Sequence, residues 1–373
     1  MKKTISLIAL IACMGSFVIA GNPMISKTSG DKEESFAEKI KQSTLVVVLL
    51  EENQDYEAKL TKKGKTEMLA TYTNSIKTYN DNIKEMVPQF IKMGSTVIYK
   101  TPTEIAGMSF DERSAYSYLL YDKSPDYGGQ QGAAIFGCDF FNNNQKDVQK
   151  NIDDYNKFIQ FECLDDKSGL YEYRKLDIYA PGNKKHQTSG QLQQNLLEIV
   201  PTKADLKVCL MQLQGQFDML LKNGTMTRDD QKAMVADAEK KRPACYDTIK
   251  QKTLLICKKD IDKDFSVDNI KSSYPYPYKV VSKEDFDKAI ISNDPQYCAL
   301  LVTPFIKVPG VYGPVTASSI KYIHYIVNLG TQNMLYAGVS GHVMVGTMGM
   351  GGYETVTEKN LKQLTTNLQN PNK

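Results

Sequence analysis

Three histidines, two adjacent glutamates, one aspartate and a glycine-rich stretch are the places where this chain could do chemistry. The histidines are His186, His324 and His342. A catalytic triad or metal centre needs such groups to converge with carboxylates or a nucleophile. His186 follows Gly182-Asn183-Lys184-Lys185 in a loop pattern, His324 lies in a strand pattern and His342 sits among glycines. No spacing ties the three together, so they read as surface or packing histidines, with His342 kept as a binding candidate.

The glycines are Gly338, Gly341, Gly346, Gly349, Gly351 and Gly352, ahead of a helix expected to be capped by Thr355 or Thr357. A glycine-rich turn into a helix N-terminus can cradle an anion with backbone N–H groups, which makes Gly349 and Gly351 candidates. The stretch lacks a Gly-Lys-Ser/Thr ending and does not directly follow a parallel strand. Its ordinary reading is a loop or a methionine-rich packing turn around Met344, Met348 and Met350. Glu51, Glu52 and Asp122 fall just past, or at the end of, apolar strand patterns. In a parallel sheet that is the carboxyl edge, where such folds place ligands. The corresponding positions in the second half are Lys258, Lys259 and Thr303, so the two halves share no chemistry there and solvated strand ends are the simpler reading. Tyr274, Tyr276 and Tyr278 could stack on a carbohydrate or peptide, or cover a sheet edge.

Other chemistries are disfavoured by composition. Of seven cysteines, Cys138, Cys163, Cys209, Cys245, Cys257 and Cys298 follow the N-terminal segment. Their spacings are irregular and contain no Cys-x-x-Cys, so a zinc site is not expected. Mostly free, buried thiols are expected, with one bridge at most. The net charge is +3, which falls short of the basic face that nucleic acid requires. No cofactor is implied.

The elements that must position these residues are ordered by an internal repeat. Ile40-Lys41-Gln42-Ser43-Thr44-Leu45 and Ile249-Lys250-Gln251-Lys252-Thr253-Leu254 share five of six residues at an offset of 249 − 40 = 209. Each runs into an apolar stretch of the kind covered on both faces of a sheet. Weaker matches pair Val97 with Val280 and Tyr116 with Tyr297. In the first copy, strands are expected at 45–50, 96–100 and 115–121, with helix over 56–93 ending at Gly94. In the second copy they are expected at 253–257, 279–282 and 297–302, with a helix at 283–291 capped by Ser282. The first connection is about 26 residues longer than the second, most simply a lengthened helix. Alternating segments at 170–179 and 322–329, the latter turning at 330–333, add antiparallel strands. Two helices, 203–222 and another that follows Thr227 and ends before Pro243, lie between the copies.

These patterns predict an α/β protein of two related units, each with mostly parallel strands and antiparallel edge strands, joined by a helical spacer. The expected divisions are a signal peptide at 1–20, a polar lead-in at 21–35, the first unit at 36–190, the spacer at 191–244 and the second unit at 245–373. Lys2-Lys3 followed by the uncharged residues 5–20, with Val18-Ile19-Ala20 before Gly21, has the form of a secretory signal. Leu10-Ile11-Ala12-Cys13 supports a second reading, in which Cys13 carries a lipid anchor. No later run reaches the roughly 20 apolar residues of a membrane span. The expectation is an exported bacterial envelope protein at the periplasm, outer-membrane periphery or cell exterior. It would bind or scaffold an envelope protein or extracellular ligand without catalysis. The alternative is a hydrolase or transferase with its site in a cleft between the units.

Overall fold

Helix α1 (Phe36–Gln42) runs into strand β1 (Thr44–Val48) through Ser43, whose hydroxyl donates back to Ile40 O at 3.0 Å. The computed structural model describes residues 36–123, 140–162, 174–182, 191–198, 200–223, 228–307, 319–344 and 355–371. The signal segment 1–20, the lead-in 21–35, Cys13, Cys138, Cys163, His186, Gly349 and Gly351 lie outside them. The chain divides into two compact units, Pro23–Gly224 and one holding Thr225–Lys373.

In the first unit, α2 (Gln54–Lys62) and α3 (Thr66–Phe90) lead to β2 (Thr96–Lys100). Short helices α4 (Pro102–Ala106) and α5 (Phe110–Ala115), each closed by a capping box, precede β3 (Ser117–Lys123). Then follow α6 (Gln145–Glu162), β4 (Arg174–Tyr179), β5 (Gln191–Asn195) and α7 (Lys203–Asn223). The sheet order is β2-β1-β3-β4-β5. β1 is parallel to β2 and β3, whereas β3–β4 and β4–β5 are antiparallel. Leu45, Val46, Val47 and Val48 are fully buried, as an unbroken apolar run in a covered sheet should be. On one face Tyr79 of α3 meets Tyr121, their rings 5.1 Å apart. On the other, Tyr118 meets Phe140 and Phe141, with ring separations of 4.9 and 5.6 Å.

The second unit begins with α8 (Arg228–Gln251) and β6 (Thr253–Cys257). The short helix α9 (Ile270–Ser273), β7 (Tyr278–Val281), α10 (Lys283–Ser292) and β8 (Tyr297–Lys307) follow. A hairpin of β9 (Ser319–Asn328) and β10 (Met334–Met344) and the helix α11 (Glu358–Gln369) complete it. Ser282 caps α10 and Thr357 caps α11, at the sequence-expected positions. The sheet order is β10-β9-β8-β6-β7. β6 is parallel to β7 and β8, and β8–β9 and β9–β10 are antiparallel. Read from its other edge, this is the order and direction of the first sheet. The protein is thus α/β, with two like sheets. Among the described residues no helix is long and apolar enough to cross a membrane.

Five differences from the sequence expectations have physical causes. The repeat match of Val97 to Val280 slips by two. Leu45 pairs with Val97 and Leu254 with Tyr278, so Tyr278 is the equivalent residue. The expected helix over 56–93 is two helices, broken at Gly64, which has φ +64. Gly94 is not a helix cap. It lies past α3 at φ +83, where a Cβ would stand 3.1 Å from Leu45 Cβ and Ser43 O, so glycine lets the chain pass close beneath β1. Helix α8 runs through Pro243 because Tyr246 and Ile249, beyond it, are buried in the second core. That packing offsets the roughly 3 kcal/mol cost of an internal proline. The first part of the glycine-rich stretch, with Gly338, Gly341 and His342, is strand β10 rather than a loop. The two expected inter-copy helices are present. α7 packs on α3 and β5, and α8 on β6 and β10, while Gln191–Asn195, also placed in the spacer, is strand β5.

Candidate functional site

At the carboxyl edge of the first sheet, β1 ends in Leu49-Leu50-Glu51-Glu52-Asn53, and Leu50, Glu51 and Asn53 are met by other elements. The Asn80 side chain on α3 both donates to Leu50 O and accepts from Leu50 N, at 2.9 Å each. Asn53 N–H donates to the Tyr72 hydroxyl at 2.6 Å, and Asn53 Oδ1 accepts from Tyr56 N as the cap of α2. Glu51 Oε2 accepts from Thr103 N at 3.2 Å and Thr103 Oγ1 at 2.9 Å, so the carboxylate sits at the positive first turn of α4. Glu52 is exposed and helps to raise Glu57, whose shift comes first from burial and then from Glu52.

Asp122 points elsewhere. It is not a solvated strand end, being 2 % exposed. It lies directly across β3–β4 from Lys175, with Oδ2 3.8 Å from Lys175 Nζ. The same ammonium is 2.7 Å from Asp177 Oδ2, which also accepts from the Tyr179 hydroxyl at 3.2 Å. Strand alternation puts Asp122, Lys175, Asp177 and Tyr179 on the face that carries Tyr118. Arg174, one register position from Lys175, takes the opposite face, its guanidinium 5.9 Å from the Tyr121 ring centroid. Tyr155 of α6 donates to Tyr121 O at 2.7 Å, and burial pushes its phenol well above the ordinary range. The sequence-expected trio therefore does not converge. Glu51 turns toward α4, Asp122 toward β4, and Glu52 toward solvent.

The residues that sequence reasoning missed are Lys175 and Asp177. Their signal was present in Tyr173-Arg174-Lys175-Leu176-Asp177-Ile178-Tyr179, where charge alternates along a strand. A lone exposed strand face has the same pattern, and only the fold covers it.

In the second unit His324 lies opposite Val302 on β8 and Gly338 on β10. It is 6 % exposed, its Nε2 has no hydrogen-bond partner, and burial lowers it to about 4. The imidazole is neutral near pH 7 and sealed. Thr303 is buried opposite Ile323, and Lys258 is exposed. Lys259 is lowered mainly by burial. Tyr274 is fully buried, with Tyr276 and Tyr278 packed on the same core. Cys209, Cys245, Cys257 and Cys298 are free thiols, all raised chiefly by burial, Cys257 to about 11 and Cys298 to about 12. Among the described residues, no group of three or more His, Cys, Asp or Glu is placed to hold a metal ion. No protein family, curated protein or solved structure matches the chain.

Proposed function

We infer that the chain is an exported bacterial envelope protein that binds or scaffolds a partner and is not an enzyme. The observation that carries this reading is the state of the first sheet's carboxyl edge. α/β enzymes leave that edge open for a ligand. Here Asn80, Tyr72, Thr103 and Lys175 occupy Leu50, Asn53, Glu51 and Asp122. Polar groups that are already committed to their own fold are poor general acids or bases, because a catalytic group must reach a substrate proton. Export is supported by Lys2-Lys3 and the uncharged residues 5–20. The partner would be an envelope protein or an extracellular ligand.

The test has two arms. The full chain is expressed in a bacterial host, the envelope is fractionated and the N-terminus is sequenced. Export predicts a start at Gly21 or a lipidated Cys13, the latter lost in Cys13→Ala. A cytoplasmic chain keeping Met1 overturns export. Purified protein is then assayed on ester, phosphate, glycoside and peptide substrates. Turnover that disappears in Glu51→Gln or Asp122→Asn overturns the non-enzymatic reading, and saturable one-to-one cross-linking to an envelope component supports it.

A further inference from the structure

The buried Lys175 triad has the composition and geometry of a self-condensing site. We propose that Lys175 Nζ and the Asp122 carboxyl join in an intramolecular amide, with Asp177 moving the proton. This reading does not depend on the proposed export or on the proposed binding role.

Three observations carry it. The first is proximity. Lys175 Nζ stands 3.8 Å from Asp122 Oδ2 and 2.7 Å from Asp177 Oδ2, while Asp122 and Lys175 are cross-strand neighbours. Reacting groups held close to contact distance behave as if at very high local concentration. The second is burial. The side chains of Asp122, Lys175 and Asp177 are 4, 9 and 0 % exposed. Condensing an ammonium with a carboxylate is uphill in water because both ions are well hydrated. Here that hydration has already been surrendered, and two buried ions are costly to hold. Replacing them by one neutral amide and releasing water to the solvent removes that cost. The third is the division of labour. Two carboxylates face one ammonium, so one can react while the other handles the proton. Asp177 is in direct hydrogen-bond reach of Nζ, and its Oδ1 is buried with no hydrogen-bond partner.

The step balances without a co-reactant. Asp177 Oδ2 takes one proton from the Lys175 ammonium, leaving a neutral amine, and passes it to Asp122 as its carboxylic acid. The amine lone pair attacks Asp122 Cγ. The C–N bond forms, the C–OH bond breaks, and the hydroxyl leaves as water with a second proton from nitrogen, relayed by Asp177. Asp177 ends as it began, and the ion pair has become an amide plus one water. The product ties β3 to β4 covalently and closes a loop of 175 − 122 = 53 residues.

The experiment is intact mass spectrometry of the purified full chain after denaturation, followed by tryptic mapping. The expected result is a mass lower by one water, with a branched peptide joining Asp122 to Lys175 and no cleavage after Lys175. Asp177→Asn should accumulate the unlinked chain, and Lys175→Arg should carry the full mass. The wild-type measurement decides even if a variant fails to fold. A full-mass wild-type chain overturns the proposal. So does a Lys175 amine that reacts quantitatively with an acylating reagent in denaturant, a bond to Asp177 in place of Asp122, or a water loss that persists in Lys175→Arg.

Discussion

Lowering the pH should unfasten the second unit through one side chain, His324. The ordinary value for a histidine is 6.5, and burial lowers His324 to about 4. Between these values the unfolded chain binds a proton that the folded chain refuses, so stability rises with pH. The contribution is full above the unfolded value and is lost as pH falls from there toward the folded one. The shift is 6.5 − 4 = 2.5, and at 1.36 kcal/mol per unit the full loss is about 3 kcal/mol, of which about 2 kcal/mol is gone by pH 5. The groups directly across the strands, Val302 and Gly338, carry no charge that could receive the proton. The assay is urea unfolding followed by near-ultraviolet circular dichroism, which here reports tyrosine, since the chain has 22 tyrosines and no tryptophan. His324→Leu is the control: it removes the titrating group and its unpartnered Nε2, and the transition it moves is that of the second unit. Carboxylates titrate in both proteins, so the difference between them isolates His324. Wild type should lose stability relative to His324→Leu between neutral pH and about pH 5. Parallel losses in the two proteins would refute the argument.

Three further outcomes are expected. Val47→Asp and Leu300→Asp each place a charge at a buried position, Val47 fully and Leu300 2 % exposed; each should cost about 4 kcal/mol, read from thermal melts. Gly94→Ala combines φ +83 with a Cβ 3.1 Å from Leu45 and Ser43, and should destabilise the first unit by about 2 kcal/mol in denaturant titrations; no change would mean that the loop beneath β1 yields. In native protein a maleimide should modify Cys245, which is partly exposed, well before the buried Cys209, Cys257 and Cys298, as read peptide by peptide; prompt labelling of Cys298 would contradict its placement in the core.

The repeat motif showed where β1 and β6 would lie, because the short apolar runs after Thr44 and Thr253 have the length and aliphatic content of a strand covered on both faces. The two-residue slip at Val97 was invisible for a related reason: a shift of two keeps every side chain on the same face, so pattern alone cannot separate Tyr278 from Val280 as the match. Pro243 misled because a local penalty was weighed without the burial of Tyr246 and Ile249 that outweighs it. Gly338 and Gly341 suggested a loop, yet β10 runs through both, with Gly338 paired to His324 of β9 and Gly341 at the irregularity between Ser340 and Val343. At the site, Asp122 was legible as a carboxylate at a strand end. Its partner Lys175 was not, since nothing local connects residues 53 positions apart that meet only when β3 and β4 pair. Glu51 was likewise visible, but its engagement with Thr103 depends on how β2 and α4 follow one another.

The helical insert between β1 and β2 also bears on the order in which the chain folds. Pairing Leu45 with Val97 closes 97 − 45 = 52 residues, whereas pairing Leu254 with Tyr278 closes 278 − 254 = 24. For a flexible chain, that difference costs about 0.7 kcal/mol of closure entropy and slows the first unit's parallel pairing about threefold. The insert need not behave as a flexible chain, however. The 25 residues of α3 form a rod about 38 Å long, and helix elongation is far faster than strand pairing. Once α3 has formed, far fewer free residues remain to be closed, and Asn80 on that rod is already placed to catch Leu50. A denaturant-jump experiment on each unit would then show similar folding rates, and loosening α3 with a glycine at an exposed position such as Thr71 would slow the first unit alone.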